Sequence, residues 1–292
     1  MTTATTFPTL TLADDLTITR MGYGAMQLAG PNVFGPPRDR DEALAVLREA
    51  AASGVTLFDT SDFYGPFVTN ALVREALHPY DGLTIATKVG ARRGDDGSWL
   101  ASLRPDDLKA QVHDNLDHLG VDALDIVYLR LGNHDGTTEE SIAAEFTALA
   151  ELRDEGLIKH LGLSGVSSVQ LSEAQSIAPV VAIQNLYNLV QREDEALVDR
   201  AASENIAFAS FFPLGGFTPL QSATLTSAAT RLGASAQQVA LAWLLQRSST
   251  TVLIPGTSQR AHLRENLAAA SLELPADTVA ELDAIATRAE AS

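Results

Sequence analysis

The sequence predicts a (β/α)8 TIM barrel with an N-terminal β-hairpin plug and an extra C-terminal helix, on three observations. Eight strand-length apolar runs recur along the chain, the segments between them carry helical apolar spacing, and no run leads into a GxGxxG loop. Strand and helix in alternation give a parallel sheet wrapped in helices, and eight such units close a barrel of about 250 residues. An open, doubly wound sheet is the alternative, disfavoured by the missing glycine loop.

The elements follow in order. Leu10–Thr19 places β-prone runs on either side of Asp14-Asp15, which suits a hairpin stoppering the N-terminal mouth of the barrel. The eight runs are Met21–Met26, Val55–Phe58, Leu83–Ala86, Leu124–Leu129, Ile158–Leu163, Val180–Ile183, Ile206–Ala209 and Val252–Ile254. After the first, Asp39 or Asp41 caps a helix with Ala43, Leu44, Leu47, Ala50 and Ala51 on one face and Gly54 just past its end. Pro105 takes a first-turn position ahead of Leu108, Val112, Leu116 and Leu119, and Gly120 stops that helix. Ser235 with Gln238 forms a capping box opening Val239–Leu245, and Pro275–Ala289 reads as the extra C-terminal helix. No linker, low-complexity stretch or shift in composition interrupts the chain, so residues 1–292 read as a single domain.

Composition narrows the function classes. Of 292 residues, 46% are hydrophobic, enough for a large core, and none is Cys. That excludes a disulfide scaffold, a Cys-ligated metal site and a thiol nucleophile; no His/Asp/Glu pair has ligand spacing either, so no metal is expected. Twenty Lys+Arg against 37 Asp+Glu leave a net charge of −17, which repels nucleic-acid phosphates and anionic lipid headgroups. The opening MTTATTFPTL lacks a basic segment followed by an apolar one, and no run approaches the roughly 20 apolar residues of a membrane span. The expectation is an acidic, soluble, cytoplasmic protein whose partner is a small molecule, neither nucleic acid nor membrane; composition sets no oligomeric state.

In a barrel of this kind chemistry gathers at the C-terminal ends of the strands. Asp59, Ser61 and Tyr64 follow the second run, Thr87 and Lys88 the third, Arg130 the fourth, Ser164 the fifth, and Gln184 and Asn185 the sixth. Ser210 and Phe211 follow the seventh run, and Gly256, Thr257 and Ser258 the eighth. A lone Asp after a strand is more often a turn or cap residue, and a lone Tyr before Gly a rim aromatic. A Lys closing an apolar strand is rarer, because a buried ammonium is costly unless paired. Taken together the three explain one another: Asp59 pairs with Lys88, and Lys88 faces Tyr64. A phenol has a reference pKa near 10, and a fixed cation beside it favours the phenolate. The sequence therefore predicts that Lys88 lowers the Tyr64 pKa, so that Tyr64 exchanges a proton with a carbonyl or alcohol oxygen while hydride moves at the carbon.

The segment IPGTSQRAHLREN (Ile254–Asn266) has the makings of a phosphate site: Gly256 admits the backbone, Thr257 and Ser258 carry hydroxyls, and the following helix presents its N-terminus. Arg260, His262 and Arg264 add cations there. Leu214-Gly215-Gly216 would wrap a pyrophosphate or form a plain tight turn.

These motifs resemble the aldo-keto reductase family over nearly the whole chain, in FDTSDFYG, TKVG, GLSG, IQNLYN, FFPLGG and IPGTSQRAHLREN. The resemblance implies a (β/α)8 barrel, NADPH bound extended across the strand ends, and carbonyl reduction. It puts the catalytic Asp, Tyr and Lys on Asp59, Tyr64 and Lys88, the carboxamide contacts on Ser164 and Gln184, and the ring-stacking aromatic on Phe211. Gly24, Leu214, Gly216, Gly256, Thr257, Ser258, Arg260, His262, Arg264, Glu265 and Asn266 complete the implied cofactor site. YGAMQLAGPNVFGPPRDR, KVGARRGDDGSWL and FFPLGGFTPLQS resemble the bacterial pyridoxal reductases within that family. Three positions depart from the family pattern. Arg130 stands where the tetrad His is usual, and His134 in the next loop is a second candidate for that role. Gly165 replaces a frequent Asn. Gly256 replaces a basic residue, with His262 where the family's 2′-phosphate Arg aligns. Phe34, Phe63 and Trp99 are expected in loops overhanging the mouth, walling a flat substrate or merely packing there. Arg92 and Arg93 are expected at the surface or facing an anionic substituent. Other readings are a reductase of another small carbonyl or keto sugar, a lyase with Lys88 as Schiff-base nucleophile, and a non-catalytic NADPH-binding subunit.

Overall fold

The computed structural model describes residues 7–131, 139–216 and 222–289. Strands β1 (Thr9–Ala13) and β2 (Leu16–Thr19) form the antiparallel hairpin, turning at Asp14-Asp15. Then β3 (Tyr23–Gly24), α1 (Arg40–Ala52), β4 (Leu57–Asp59), α2 (Val68–Leu77) and β5 (Thr84–Val89) begin the barrel. A second hairpin, β6 (Ala91–Arg93) and β7 (Trp99–Ala101), interrupts it before α3 (Pro105–Leu119). The barrel continues with β8 (Leu124–Arg130), α4 (Ala143–Asp154), β9 (Ile158–Ser164), α5 (Ser168–Ile177), β10 (Val180–Leu186), α6 (Glu195–Ser203) and β11 (Ala207–Phe211). It ends with α7 (Ala223–Leu232), α8 (Ala236–Arg247), β12 (Thr251–Leu253) and α9 (Arg260–Ala268), followed by α10 (Ala276–Ala289).

The eight-stranded sheet runs β12-β11-β10-β9-β8-β5-β4-β3, and every pairing in it is parallel. Parallel bridges Met21–Leu253 and Gly24–Gly256 join its two edges and close the barrel. Leu10, Leu16 and Ile18 of the hairpin pack against Leu57, Ala86, Ile126 and Val252 inside the barrel, so the hairpin is the predicted plug. Phe58, Val127, Leu129, Ile183 and Phe208 face outward into the larger core shared with the helices.

The helix ends follow the predicted chemistry. Asp39, rather than Asp41, caps α1 by accepting from the Glu42 amide. Pro105 opens α3, and Gly120 closes it at φ 71°. Ser235 and Gln238 make the capping box of α8. Two features differ from expectation. Two helices, α7 and α8, stand between β11 and β12, because Ser222 caps a separate amphipathic turn that Gly233 ends. Trp99 lies on a strand, since Gly94 and Gly97 let residues 91–101 fold back as a hairpin.

Candidate active site

Side chains alternate across a strand, so what faces the barrel axis repeats every second residue. Leu57, Ala86, Tyr128 and Ala182 fill the interior, and two residues beyond each, at the C-terminal end, stand Asp59, Lys88, Arg130 and Gln184. Ser164 lies in register between Arg130 and Gln184. Alternation therefore gathers the predicted residues at one mouth.

There, Lys88 Nζ donates to Asp59 Oδ1 at 2.5 Å and to the Thr60 carbonyl at 3.0 Å, and lies 5.1 Å from the Tyr64 ring centroid. Gln184 Nε2 donates to Asp59 Oδ2 at 2.8 Å, so both carboxylate oxygens are engaged. All four side chains are buried. Burial alone would pull the Lys88 ammonium down; the Asp59 charge and Tyr64 outweigh it and hold Lys88 above its ordinary value. Burial acts oppositely on the phenol. It pushes Tyr64 above its ordinary pKa, the Lys88 and Arg130 charges pull back only in part, and Asp59 pushes further up. The expectation of an unusually acidic phenol is thus corrected: desolvation of a phenolate outweighs the neighbouring cation, because Asp59 already neutralises much of that cation's field.

Arg130 enters the same pocket, its guanidinium 5.8 Å from the Phe63 ring and 5.7 Å from the Trp99 ring; burial pulls it below its ordinary value and Tyr64 opposes this. Phe63 and Trp99 pack edge-on to Tyr64, at 5.3 and 6.5 Å between centroids, and form one wall with it. Phe34 is not part of that wall. It is 36% exposed at the rim, beneath Arg93. Arg93 is neither a surface cation nor aimed at a substrate: it donates to the carbonyls of Val33, Asn32 and Gly97 and stacks on Trp99 at 4.1 Å, pinning the β6–β7 hairpin over the mouth. Arg92 is exposed, and His134 lies outside the described residues.

A trough leads away from Tyr64. A cavity of about 100 Å³ is lined by Gly24, Asp59, Tyr64, Gln184, Phe211, Leu214, Gly216 and Gly256. It shares Gln27, Leu214, Gly216 and Gly256 with one of about 380 Å³ that reaches Thr257, His262, Glu265 and Asn266. A third, of about 520 Å³, adjoins both at Gln27 and Gly216 and takes in Ser258 and Glu42. A Cβ on Gly256 would stand 2.8 Å from the Gly24 carbonyl, so a basic side chain there is excluded by the strands that close the barrel. Gly165 has φ 69°, a left-handed turn, and its amide donates to Asn185 Oδ1 at 3.0 Å. Thr257 Oγ1 accepts from the Gln259 amide and so helps open α9.

Two expected cations are turned elsewhere. Arg264 is paired with Glu49, and Arg260 with Glu42, whose carboxylate also accepts from the Arg260 amide at 3.0 Å. The first amide of α9 therefore already holds an anion, drawn by the same helix-end charge expected to attract phosphate. His262 lines the cavity of about 380 Å³ and Arg38 the one of about 520 Å³. Gln27, which lines all three cavities, was overlooked in the sequence, although it stands just past the first apolar run, where the strand-end rule would have found it. Met26 and Phe212 were missed likewise. Among the described residues no three His, Asp or Glu side chains converge as metal ligands.

Fold and site together define a barrel enzyme of proton-coupled carbonyl–alcohol chemistry. The model of the Aldo/keto reductase family matches residues 20–287, and the chain belongs to that family of oxidoreductases. It is 58% identical over 271 residues to the pyridoxine 4-dehydrogenase of Escherichia coli (strain K12), covering 92% of this chain and 95% of that protein. A solved thermostable aldo-keto reductase in complex with the inhibitor epalrestat superposes with a TM-score of 0.80 at 28% identity, covering 95% of this chain and 99% of that one. A Klebsiella pneumoniae aldo/keto reductase in complex with NADP and acetate gives 0.76 at 20% identity, covering 95% of each chain.

Proposed function

We propose that the protein is an NADPH-dependent carbonyl reductase that converts pyridoxal to pyridoxine, working as a single-domain cytoplasmic enzyme. The observation that carries the reading is the buried Tyr64–Lys88–Asp59 set at the head of a trough that continues past Gly256 to Thr257, His262 and Asn266. The 58% identity to pyridoxine 4-dehydrogenase supports the substrate, and the fold shared with an NADP-bound reductase supports the cofactor. Gly24, Gln184, Phe211, Leu214, Gly216 and Gly256 would hold the nicotinamide half, and Thr257, His262, Glu265 and Asn266 the far end. The bound cofactor supplies hydride. Tyr64, protonated because burial raises its pKa, gives its proton to the carbonyl oxygen, and Arg130 donates hydrogen bonds to that oxygen as charge develops. Lys88 steadies the phenolate left behind. Asp59 and Gln184 fix Lys88, and the hold of Asp59 on the ammonium makes Lys88 a poor Schiff-base nucleophile.

NADPH absorbance followed with pyridoxal beside small aldehydes, ketones and keto sugars tests the reading. Pyridoxal should give the highest kcat/KM; another winner would transfer the substrate assignment, and no oxidation with any carbonyl would end the functional reading. Arg130→Met should lower kcat about 10- to 100-fold while the NADPH Kd changes less than about twofold, because one oxyanion donor is lost and no cofactor contact. Equal loss in both would remove Arg130 from this role. His262→Ala should weaken NADPH binding more than NADH binding, whereas Arg264→Ala should change neither by more than about twofold, since Arg264 is committed to Glu49. Isothermal titration with both cofactors separates the two outcomes.

A further inference from the structure

We propose that Thr87, Asn115 and Asn70 are positioning residues for the acid–base site, acting from behind the strands that carry it. The inference rests on the carbonyl-reductase reading above. Because Lys88 points into the barrel, Thr87 points out, into the layer between strands and helices. That layer is otherwise apolar here, walled by Phe58, Val127, Leu72 and Val112. Thr60, Thr69, Asn70, Thr87 and Asn115 are nonetheless all fully buried.

Thr87 Oγ1 donates to Asn115 Oδ1 at 2.6 Å, and Asn70 Nδ2 donates to the same oxygen at 2.9 Å. Asn115 Nδ2 donates to the Gln111 carbonyl at 2.8 Å. Thr60 Oγ1 donates to Asn70 Oδ1 at 2.8 Å, Asn70 Nδ2 reaches Asp62 Oδ1 at 3.0 Å, and Thr69 Oγ1 donates to the Ser61 carbonyl at 3.0 Å. Both oxygens and both nitrogens of the two amides are engaged. The outermost member, Asp62, also accepts from His118 Nδ1 at 2.9 Å.

The backbone points held are the neighbours of the chemistry. Thr87 precedes Lys88, Thr60 follows Asp59, and Ser61 and Asp62 lead into Tyr64. One network thus spans α2, α3 and the ends of β4 and β5 and sets the spacing of all three side chains. Burying five polar side chains is costly unless every one is bonded, and leucine-like residues would fill the same layer without that cost. Fold stability alone therefore does not call for the network. Fixed geometry does, since misplacing a reacting group by about 1 Å costs about 10²-fold in rate.

Thr87→Val keeps the volume and deletes the donor; Thr87→Ser keeps the hydroxyl. With the full chain, NADPH and an aldehyde the wild type reduces, Thr87→Val should lower kcat about tenfold or more, while KM and the NADPH Kd stay within about twofold. The alkaline limb of its pH profile should also shift, because the ammonium no longer sits at a set distance from the phenol. Thr87→Ser should restore kcat to within about threefold of wild type. An unchanged kcat and limb in Thr87→Val would overturn the proposal, as would an equal loss in Thr87→Ser, which would assign the effect to packing. Should Thr87→Val fail to fold, Thr69→Val, which frees the Ser61 carbonyl from a site on α2, must show the same split or the proposal falls. Wild-type inactivity toward every aldehyde would instead sink the functional reading and is read separately.

Discussion

Tyr64→Phe should reduce kcat/KM for carbonyl reduction by about 10²- to 10⁴-fold while leaving NADPH binding within about twofold of wild type. The ring is buried in an aromatic wall with Phe63 and Trp99, so phenylalanine fills the same space and removes little besides the hydroxyl. The loss then measures proton donation. The pH dependence carries the same signature with a definite sign. Burial raises the Tyr64 pKa, so the protonated donor is the resident form at neutrality. Wild-type reduction should be flat from about pH 6 to 9 and fall only on the alkaline side, whereas alcohol oxidation, which needs the phenolate, should climb through that range. Stopped-flow rates in both directions check this. A reductive rate declining through neutrality would mean that the cation wins over burial after all.

Lys88→Met should have the second large effect, and on two observables. Rate should fall about 10²-fold or more, because the phenolate formed by proton donation loses its counter-charge. Stability should fall by about 3–5 kcal/mol, because removing one partner of a buried pair strands the other charge. Asp59 would keep only its bond from Gln184. The double variant Asp59→Asn/Lys88→Met separates the two effects: with no stranded charge, much of the stability should return in a urea titration, and none of the rate should. Recovery of both would show that the pair serves only the fold.

Much of this molecule was legible from residue order, for physical reasons that differ by element. The strands were readable because each apolar run is buried on both faces, by the barrel interior on one side and by helices on the other. The helix boundaries at Asp39, Pro105, Gly120 and Ser235 were readable because capping is local chemistry that the chain carries with it. The convergence of Asp59, Lys88, Arg130 and Gln184 followed from the two-residue alternation once eight parallel strands were assumed. The β6–β7 hairpin escaped because its strands are only three residues each, and α7 because it is an added helix that breaks the one-strand, one-helix alternation.

What the sequence determined by itself, then, is the architecture and which polar residues meet at the barrel mouth, since both follow from periodicity and from residue types at strand ends. Tertiary structure alone decided the sign of the Tyr64 shift, the turning of Arg260 and Arg264 toward α1, the role of Arg93 as a pin, and the polar network behind Lys88. Each of these depends on which distant groups come within a few ångströms, and on how much water is left between them. A neighbour's charge can be read from a list of residues; its competition with burial and with other charges exists only once the chain has closed on itself.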